Sequence, residues 1–512
     1  MIDTLFITPN NATRIYQELS NKYSAIETPT WSLLLAEACR TKSFKVKILD
    51  CLAENLNLQQ SYERVLSVNP RLIVFVVYGQ NVNAGTTNMS GAIMLSEFLK
   101  KKNIEIPIAF IGSHVQAVPV ETLNNEKSID FVFTNEGVYS LLNILKLKEI
   151  NFENLKKIKG IAFKYNSKIY FNDIEKVVPQ EKMDIDLPGY AWDLLPFKNK
   201  PLDMYRSPMW HAEYNENKRS PYAAIQTALG CQFKCSFCMI NIINRNDKSE
   251  VGVAGNYNGM RFWSSNFIIK EFDKLLKLGV ETIRIVDEMF LLNPKYYIPL
   301  CKELSKRNKK DNLRMWAYSR IDTVKNPEIL KLVRSAGIKW LCLGIESGDK
   351  KVRLEVAKGK FEEVDVKNVV NQIHKSDIEI MANYIFGLPG DTTETITKTF
   401  ELSKELCTSG WNTYAAMALP GSQLYKEALE KNIKLPENYE GYSFHSYNTQ
   451  NLPTEDLKAS NILELRDRCF YEYHNYKPFL NRITKKFGKE AAENIQKMSK
   501  IKLKRKIIEQ NI

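Results

Sequence analysis

Three cysteines, Cys231, Cys235 and Cys238, fall within the stretch GCQFKCSFCMIN of a 512-residue chain that has nine cysteines in all. Thiolates spaced Cys-x3-Cys-x2-Cys on one short loop can wrap one side of a compact metal centre. Three ligands to a four-iron cluster leave one iron open to substrate or cofactor, whereas electron carriers close the site with four. A structural zinc ion calls for a fourth Cys or His, usually from a second pair. The nearest candidate, His211, is unpaired and precedes the strand leading into the loop. The spacing therefore points to an open iron–sulfur centre.

Such a loop needs a scaffold. From 221 to 428 the chain repeats a strand-then-helix rhythm, with strands expected at YAAIQTAL, ETIRIVD, LRMWAYS, WLCLGIE, IMANYIFG and NTYAAMA. Six such units predict a partial (β/α)6 barrel whose chemistry lies at the C-terminal ends of the strands, and Cys231 begins where the first strand ends. Residues 1–147 alternate five apolar β-branched runs (DTLFIT, KVKILD, RLIVFVVY, IPIAFIG, IDFVFT) with helical patterns. This predicts a doubly wound, flavodoxin- or Rossmann-like α/β domain that binds its ligand beyond the carboxyl ends of the strands. Residues 148–220 read as a linker with a hairpin around Asn166-Ser167 and a crossover, LPGYAWDLLPF. Residues 429–512 read as a helical, aromatic and basic C-terminal region.

Composition narrows the class. No apolar run reaches the ~18–20 residues that cross a bilayer, so no transmembrane segment is expected. Scattered, odd-numbered cysteines fit a reducing cytoplasm better than a disulfide scaffold. The net charge of +13 raises the question of nucleic acid, but lysine is abundant throughout and the densest basic run reads as a solvated helix face. A nucleic-acid partner is therefore not expected.

With aromatic Phe237 before its last cysteine, the trio resembles the signature of radical S-adenosylmethionine enzymes. The resemblance covers residues 1–428. The first domain, through PTWSLLLAEACRTKSFKVKILD, VFVVYGQN, IAFIGSHVQAVPVETL and IDFVFTNEGV, is similar to the cobalamin-binding domain that precedes the barrel in one large subgroup, the class B methyltransferase-like enzymes. The barrel continues that pattern with IRIVDEMFLLN, MWAYSRIDTV, WLCLGIESGDKKV and IFGLPGDT.

The resemblance implies that Cys231, Cys235 and Cys238 ligate a 4Fe–4S cluster and that S-adenosylmethionine chelates its open iron. Asp287 and Glu288 are implied near the methionyl ammonium. Ser319, Arg320 and Glu346 are implied near ribose and carboxylate, and Phe237 with Gly387-Leu388-Pro389-Gly390 against adenine. Many relatives carry two aspartates where this chain has Asp287-Glu288. For cobalamin, Pro9, Asn10, Gly79, Gln80, Gly112, Ser113, His114, Asn135, Glu136 and Gly137 match loops facing the corrin. No histidine lies in an Asp-x-His-x-x-Gly motif, so none is expected on cobalt from that pattern.

The implied reaction begins with hydrogen abstraction from an unactivated carbon of a biosynthetic intermediate, driven by a flavodoxin- or ferredoxin-type electron donor. C-methylation is the first expectation, with cyclisation or rearrangement as the alternative. Two readings of other classes are a tRNA methylthiotransferase and a non-catalytic cobalamin-binding protein. The first needs a second cysteine trio where only Cys39 and Cys51 stand. The second leaves the intact trio unexplained. Aromatic and hydrogen-bonding groups for a small-molecule substrate are expected from WHAEYNENKR, NYNGMRFW and YEGYSFHSYN.

Overall fold

The protein is described here by a computed structural model, which covers residues 2–79, 81–253, 259–324, 326–356 and 364–510. Two sheets organise it. The first has the order β2-β1-β3-β4-β5-β6-β7, with β1 Thr4–Thr8, β2 Val46–Asp50, β3 Ile73–Val76, β4 Ile108–Ile111, β5 Phe131–Phe133, β6 Ile161–Tyr165 and β7 Lys168–Phe171. The first five strands are parallel. β3 and β4 are buried along their whole length. That is the reason they read as unbroken apolar runs: helices cover both faces of a parallel sheet.

The hairpin expected in the linker is present, but it extends the first sheet, β6 pairing antiparallel with β5 and β7 with β6. The crossover after it is bound to the barrel. Tyr190 Oη donates to Gln226 O at 2.6 Å and accepts from Gln226 N at 3.0 Å.

The second sheet is a partial barrel of six parallel strands, ordered β15-β14-β13-β12-β11-β8. They are β8 Tyr222–Ile225, β11 Thr282–Ile285, β12 Arg314–Arg320, β13 Ile338–Glu346, β14 Glu379–Phe386 and β15 Gly410–Ala415. A short antiparallel pair, β9 Ala228–Leu229 and β10 Arg261–Phe262, stands at the exit of β8. The six strand positions agree with those expected from the sequence. The open edge at β8 is covered by the first domain, where Thr28 Oγ1 donates to Ala224 O at 3.2 Å and accepts from Ala224 N at 2.9 Å.

The C-terminal region packs on the other edge. Trp411 of β15 stacks on Tyr473 of the helix Ala459–His474, centroids 5.3 Å apart. Part of its basic charge is used internally rather than only solvated. Lys486 lies 3.0 Å from Glu379 and 2.6 Å from Asp377, and Arg505, itself buried, lies 2.7 Å from Asp467.

Candidate functional site

The cysteine loop lies at the C-terminal end of the barrel, held on three sides. Gly230 has φ +84°, a left-handed conformation natural to glycine, and it turns the chain out of β9. Cys231 N donates to Asn241 Oδ1 at 3.2 Å, Cys238 N donates to Cys235 O at 3.1 Å, and Leu424 N, beyond β15, donates to Ser236 O at 3.0 Å. Cys231 is buried, and Cys235 and Cys238 are half-buried.

Burial pushes the Cys231 thiol up to about 12 and the Cys235 thiol up to about 11. Any metal must therefore displace protons on binding. Among the described residues no three His, Cys, Asp or Glu side chains close around a point as ligands of a single ion.

Around the loop stand the side chains expected to hold S-adenosylmethionine. Arg320 ends β12, its Nε donating to Asp322 Oδ1 at 2.6 Å and its Nη2 to Asp322 Oδ2. The ring of Phe233, from the cysteine loop, lies 3.6 Å from the guanidinium carbon. The same guanidinium charge faces Cys235. Ser319 Oγ is buried without a hydrogen-bond partner among the described residues.

Glu346 closes β13 with φ +65°, rare for a residue with a side chain, at a break in the β13–β14 register. Glu288 follows β11. Burial pushes both carboxyls up to about 7, opposed by Arg320 at Glu346 and by Arg284 at Glu288. Asp287 is engaged elsewhere: it accepts from Thr227 N and from Thr227 Oγ1, both at 2.5 Å, and so clamps the end of β8. Glu288 is left as the carboxylate on the cysteine side, within the fields of Cys231 and Cys238.

Phe237 packs on a small apolar cluster of Val352, Ile385, Leu388 and Ala416, which joins the cysteine loop to the Gly387–Gly390 turn. That turn is shaped by Asp391, whose Oδ2 accepts from Gly387 N at 3.0 Å and Leu388 N at 3.1 Å. Sequence reasoning missed Asp391. Its signal was the acidic residue directly following Pro389-Gly390, both of which are exposed.

The loops of the first domain divide into two groups. A cavity opens between the ends of β1 and β3 and the barrel residues Ala224 and Val286. Gly79 lines it, and Pro9 and Asn10 lie between its lining residues Thr8 and Asn11. Gln80 is outside the described residues. The others are tied into packing. Ser113 Oγ donates to Val82 O at 2.7 Å, and Gly112 lies so close to Val77 that a Cβ there would overlap its carbonyl.

His114 is buried, with Nδ1 3.3 Å from Thr86 Oγ1 and its ring edge-on to Tyr439 at 5.1 Å. Burial lowers its pKa to about 3, so it stays neutral. Asn135 Nδ2 donates to Glu175 O at 2.7 Å, its Oδ1 accepts from Gly137 N at 3.0 Å, and Glu136 pairs with Arg261 of β10. The cavity is also lined by Tyr16, Glu27, Trp31 and Tyr78; the last two lie in the stretches PTWSLLLAEACR and VFVVYGQN, and none of the four was named as a site residue.

Of the three segments expected to offer substrate contacts, YEGYSFHSYN reaches the cavity, and the described residues of NYNGMRFW adjoin the cysteine loop through β10. Trp210 lies against Trp316 and Trp340, where β12 and β13 begin, at the far end of the barrel from the cysteines. Residues 256–258 are outside the described residues, and Trp263 Nε1 donates to Leu187 O at 2.7 Å in the core. In YEGYSFHSYN, Phe444 stands edge-on to Tyr414 at 4.8 Å and His445 lies 5.2 Å from the cavity-lining Tyr16.

Comparison with known proteins bears on the fold that carries these residues. Residues 225–403 match the model of the radical SAM superfamily. An uncharacterized methyltransferase of Pyrococcus horikoshii is 26% identical over 401 residues, 78% of this chain and 78% of its own. The anaerobic magnesium-protoporphyrin IX monomethyl ester cyclase of Cereibacter sphaeroides is 23% identical over 492 residues, 92% of this chain and 70% of its own. Among solved structures, the radical S-adenosylmethionine methyltransferase TsrM of Kitasatospora setae, with cobalamin and a 4Fe–4S cluster bound, superposes with a TM-score of 0.61 at 14% identity. The match covers 85% of this chain and 76% of that one, and shows a shared fold. No helix among the described residues is long and apolar enough to cross a membrane.

Proposed function

We propose, on the premise that residues 225–403 form a radical SAM domain, that the chain is a cobalamin-dependent radical enzyme acting on an unactivated carbon of a small biosynthetic intermediate. The observation that carries this reading is one juxtaposition. A three-cysteine loop at the barrel mouth adjoins a cavity at the strand ends of a parallel sheet through two consecutive residues, Ala84 lining the cavity and Asn83 bonded to Cys238.

When bound, a 4Fe–4S cluster would supply the electron for cleavage of S-adenosylmethionine to methionine and a 5′-deoxyadenosyl radical, and cobalamin would add a second reactive centre. Cys231, Cys235 and Cys238 would hold the first, and the cavity around Gly79 the second. The chain's own groups prepare the site. Glu288 offers a carboxylate to the methionyl ammonium. Arg320, fixed by Asp322 and Phe233, presents a rigid planar cation to a carboxylate. Ser319 Oγ offers an unused hydroxyl. Phe237 and Leu388 provide an apolar bed for a flat base. The electron is expected from a flavodoxin- or ferredoxin-type donor.

Cyclisation or rearrangement is favoured over the C-methylation first expected, because relatives that align over 92% and 93% of the chain are named cyclases. C-methylation remains the second reading, supported by the name of the relative at 26% identity.

The test is anaerobic. The full chain is reconstituted with iron, sulfide and hydroxocobalamin, then given reductant, S-adenosylmethionine and a metabolite extract of its host. Ring formation or rearrangement yields 5′-deoxyadenosine without matching S-adenosylhomocysteine. Methyl transfer yields both together. A chain that retains no corrin, or makes no 5′-deoxyadenosine, overturns the proposal.

A further inference from the structure

The turn after β3 reaches out of the first domain. Val82–Ala84 form a single 3-10 turn, closed by Asn81 Oδ1 accepting from Ala84 N at 3.2 Å. From the neighbouring loop, Ser113 Oγ donates to Val82 O at 2.7 Å. Gly85 makes room for that hydroxyl, since a Cβ at 85 would lie on Ser113 Oγ. The turn is thus fastened from its own side and from the end of β4, and it carries Asn83 to the cysteine loop.

There the Asn83 amide makes two contacts. Its Oδ1 accepts from Met239 N at 3.0 Å and its Nδ2 donates to Cys238 Sγ at 3.6 Å. The backbone N–H of Met239 can only donate, so the amide oxygen must face it, and the NH2 group is the one left for sulfur. Asn83 gives the first domain a direct hold on a cysteine of the barrel, made across 155 positions of sequence.

We propose that Asn83 is a positioning residue for Cys238 that raises the reduction potential of the cluster; this rests on the cluster reading above. Reduction adds one negative charge, part of which falls on the thiolate sulfurs. An N–H aimed at one sulfur stabilises the reduced state more than the oxidised one. The hold on Met239 N keeps the donor aimed, because sulfur and amide nitrogen belong to consecutive residues of one loop.

Two measurements test this on the full chain. Without any metal, hydrogen exchange at the Met239 amide is followed in the wild type and in Asn83→Ala, which removes its acceptor; faster exchange in the variant is expected. After reconstitution, the cluster is titrated by EPR-monitored redox potentiometry. At a fixed potential, Asn83→Ala is expected to show a reduced-to-oxidised ratio about tenfold lower, ~59 mV for a one-electron couple. Asn83→Gln, which keeps an amide donor, is expected to recover part of the shift. A purely structural role would not be rescued in this way. Should Asn83→Ala fail to fold, Asn83→Leu, close to it in shape and without a donor, serves for both measurements.

A normal cluster whose ratio stays within twofold of wild type in the variant overturns the proposal alone, as does unchanged Met239 exchange. A wild-type chain that assembles no four-iron cluster overturns the functional reading, and this proposal with it.

Discussion

Glu136 and Arg261 form a buried ion pair across the joint between the two domains, Oε2 to Nη2 2.7 Å. Both ends have further partners, although Arg261 Nε is buried without one among the described residues. Arg261 Nη1 also donates to Val178 O at 2.6 Å and Nη2 to Asn244 Oδ1 at 2.8 Å, while Glu136 Oε1 accepts from Val178 N at 2.5 Å. Glu136 was expected to face a corrin. Its place in the structure is instead a tether on β10, whose partner β9 leads directly into Gly230 and Cys231.

Removing one partner of such a pair strands the other charge in the interior, at a cost of about 3–5 kcal/mol. Glu136→Ala is therefore expected to lower the urea midpoint strongly and to reduce the iron retained after reconstitution. Replacing both residues by methionine is expected to restore most of the stability, because no unpaired charge remains. Equal losses in the single and double variants would show that the pair does not hold the joint.

Glu346 presents the opposite balance between stability and function. Its φ of +65° places a side-chain-bearing residue where about 1–3 kcal/mol of strain is stored, at the end of a barrel strand and facing Arg320. Glu346→Gly removes both strain and carboxylate. The expected outcome is a melting temperature equal to or above that of the wild type, with 5′-deoxyadenosine formation at least tenfold lower. A variant that loses stability together with activity would mean that the backbone at 346 is not strained by its side chain.

What could be read from the sequence was what is local. Ile73–Val76 and the six barrel strands are apolar runs whose period and length are set by a buried parallel sheet, so residue order alone reports them. The cysteine trio is legible because its ligand spacing lies within one loop. What escaped was what packing decides between distant segments. Nothing near Asp287 indicates that Thr227, 60 residues earlier, takes both of its oxygens, nor does anything near Glu136 point to Arg261. The hairpin Ile161–Phe171 was visible, but not that the free edge of β5 would take it up. His114 showed its residue type but not its burial, and burial is what keeps it neutral.

Asp50 gives a pH dependence whose sign can be worked out. It ends β2, fully buried, with Oδ1 accepting from Ala53 N and Oδ2 from Tyr205 Oη, both at 3.0 Å. Burial outweighs these bonds and raises its pKa from 3.8 to about 6. A carboxyl whose folded pKa lies above its unfolded one favours the folded state most when protonated in both. That contribution is complete below about pH 4 and is lost as pH rises through the folded value, about 3 kcal/mol in all for a shift of about two units. Asn at this position keeps an oxygen for Ala53 N and turns an NH2 toward Tyr205 Oη, with no charge to bury. Asp50→Asn is thus expected to match the wild type at pH 4 and to exceed it at pH 7.5, the gap in urea unfolding free energy opening between those limits. A gap that stays constant from pH 4 to 7.5 would show that Asp50 does not titrate in the folded protein over this range.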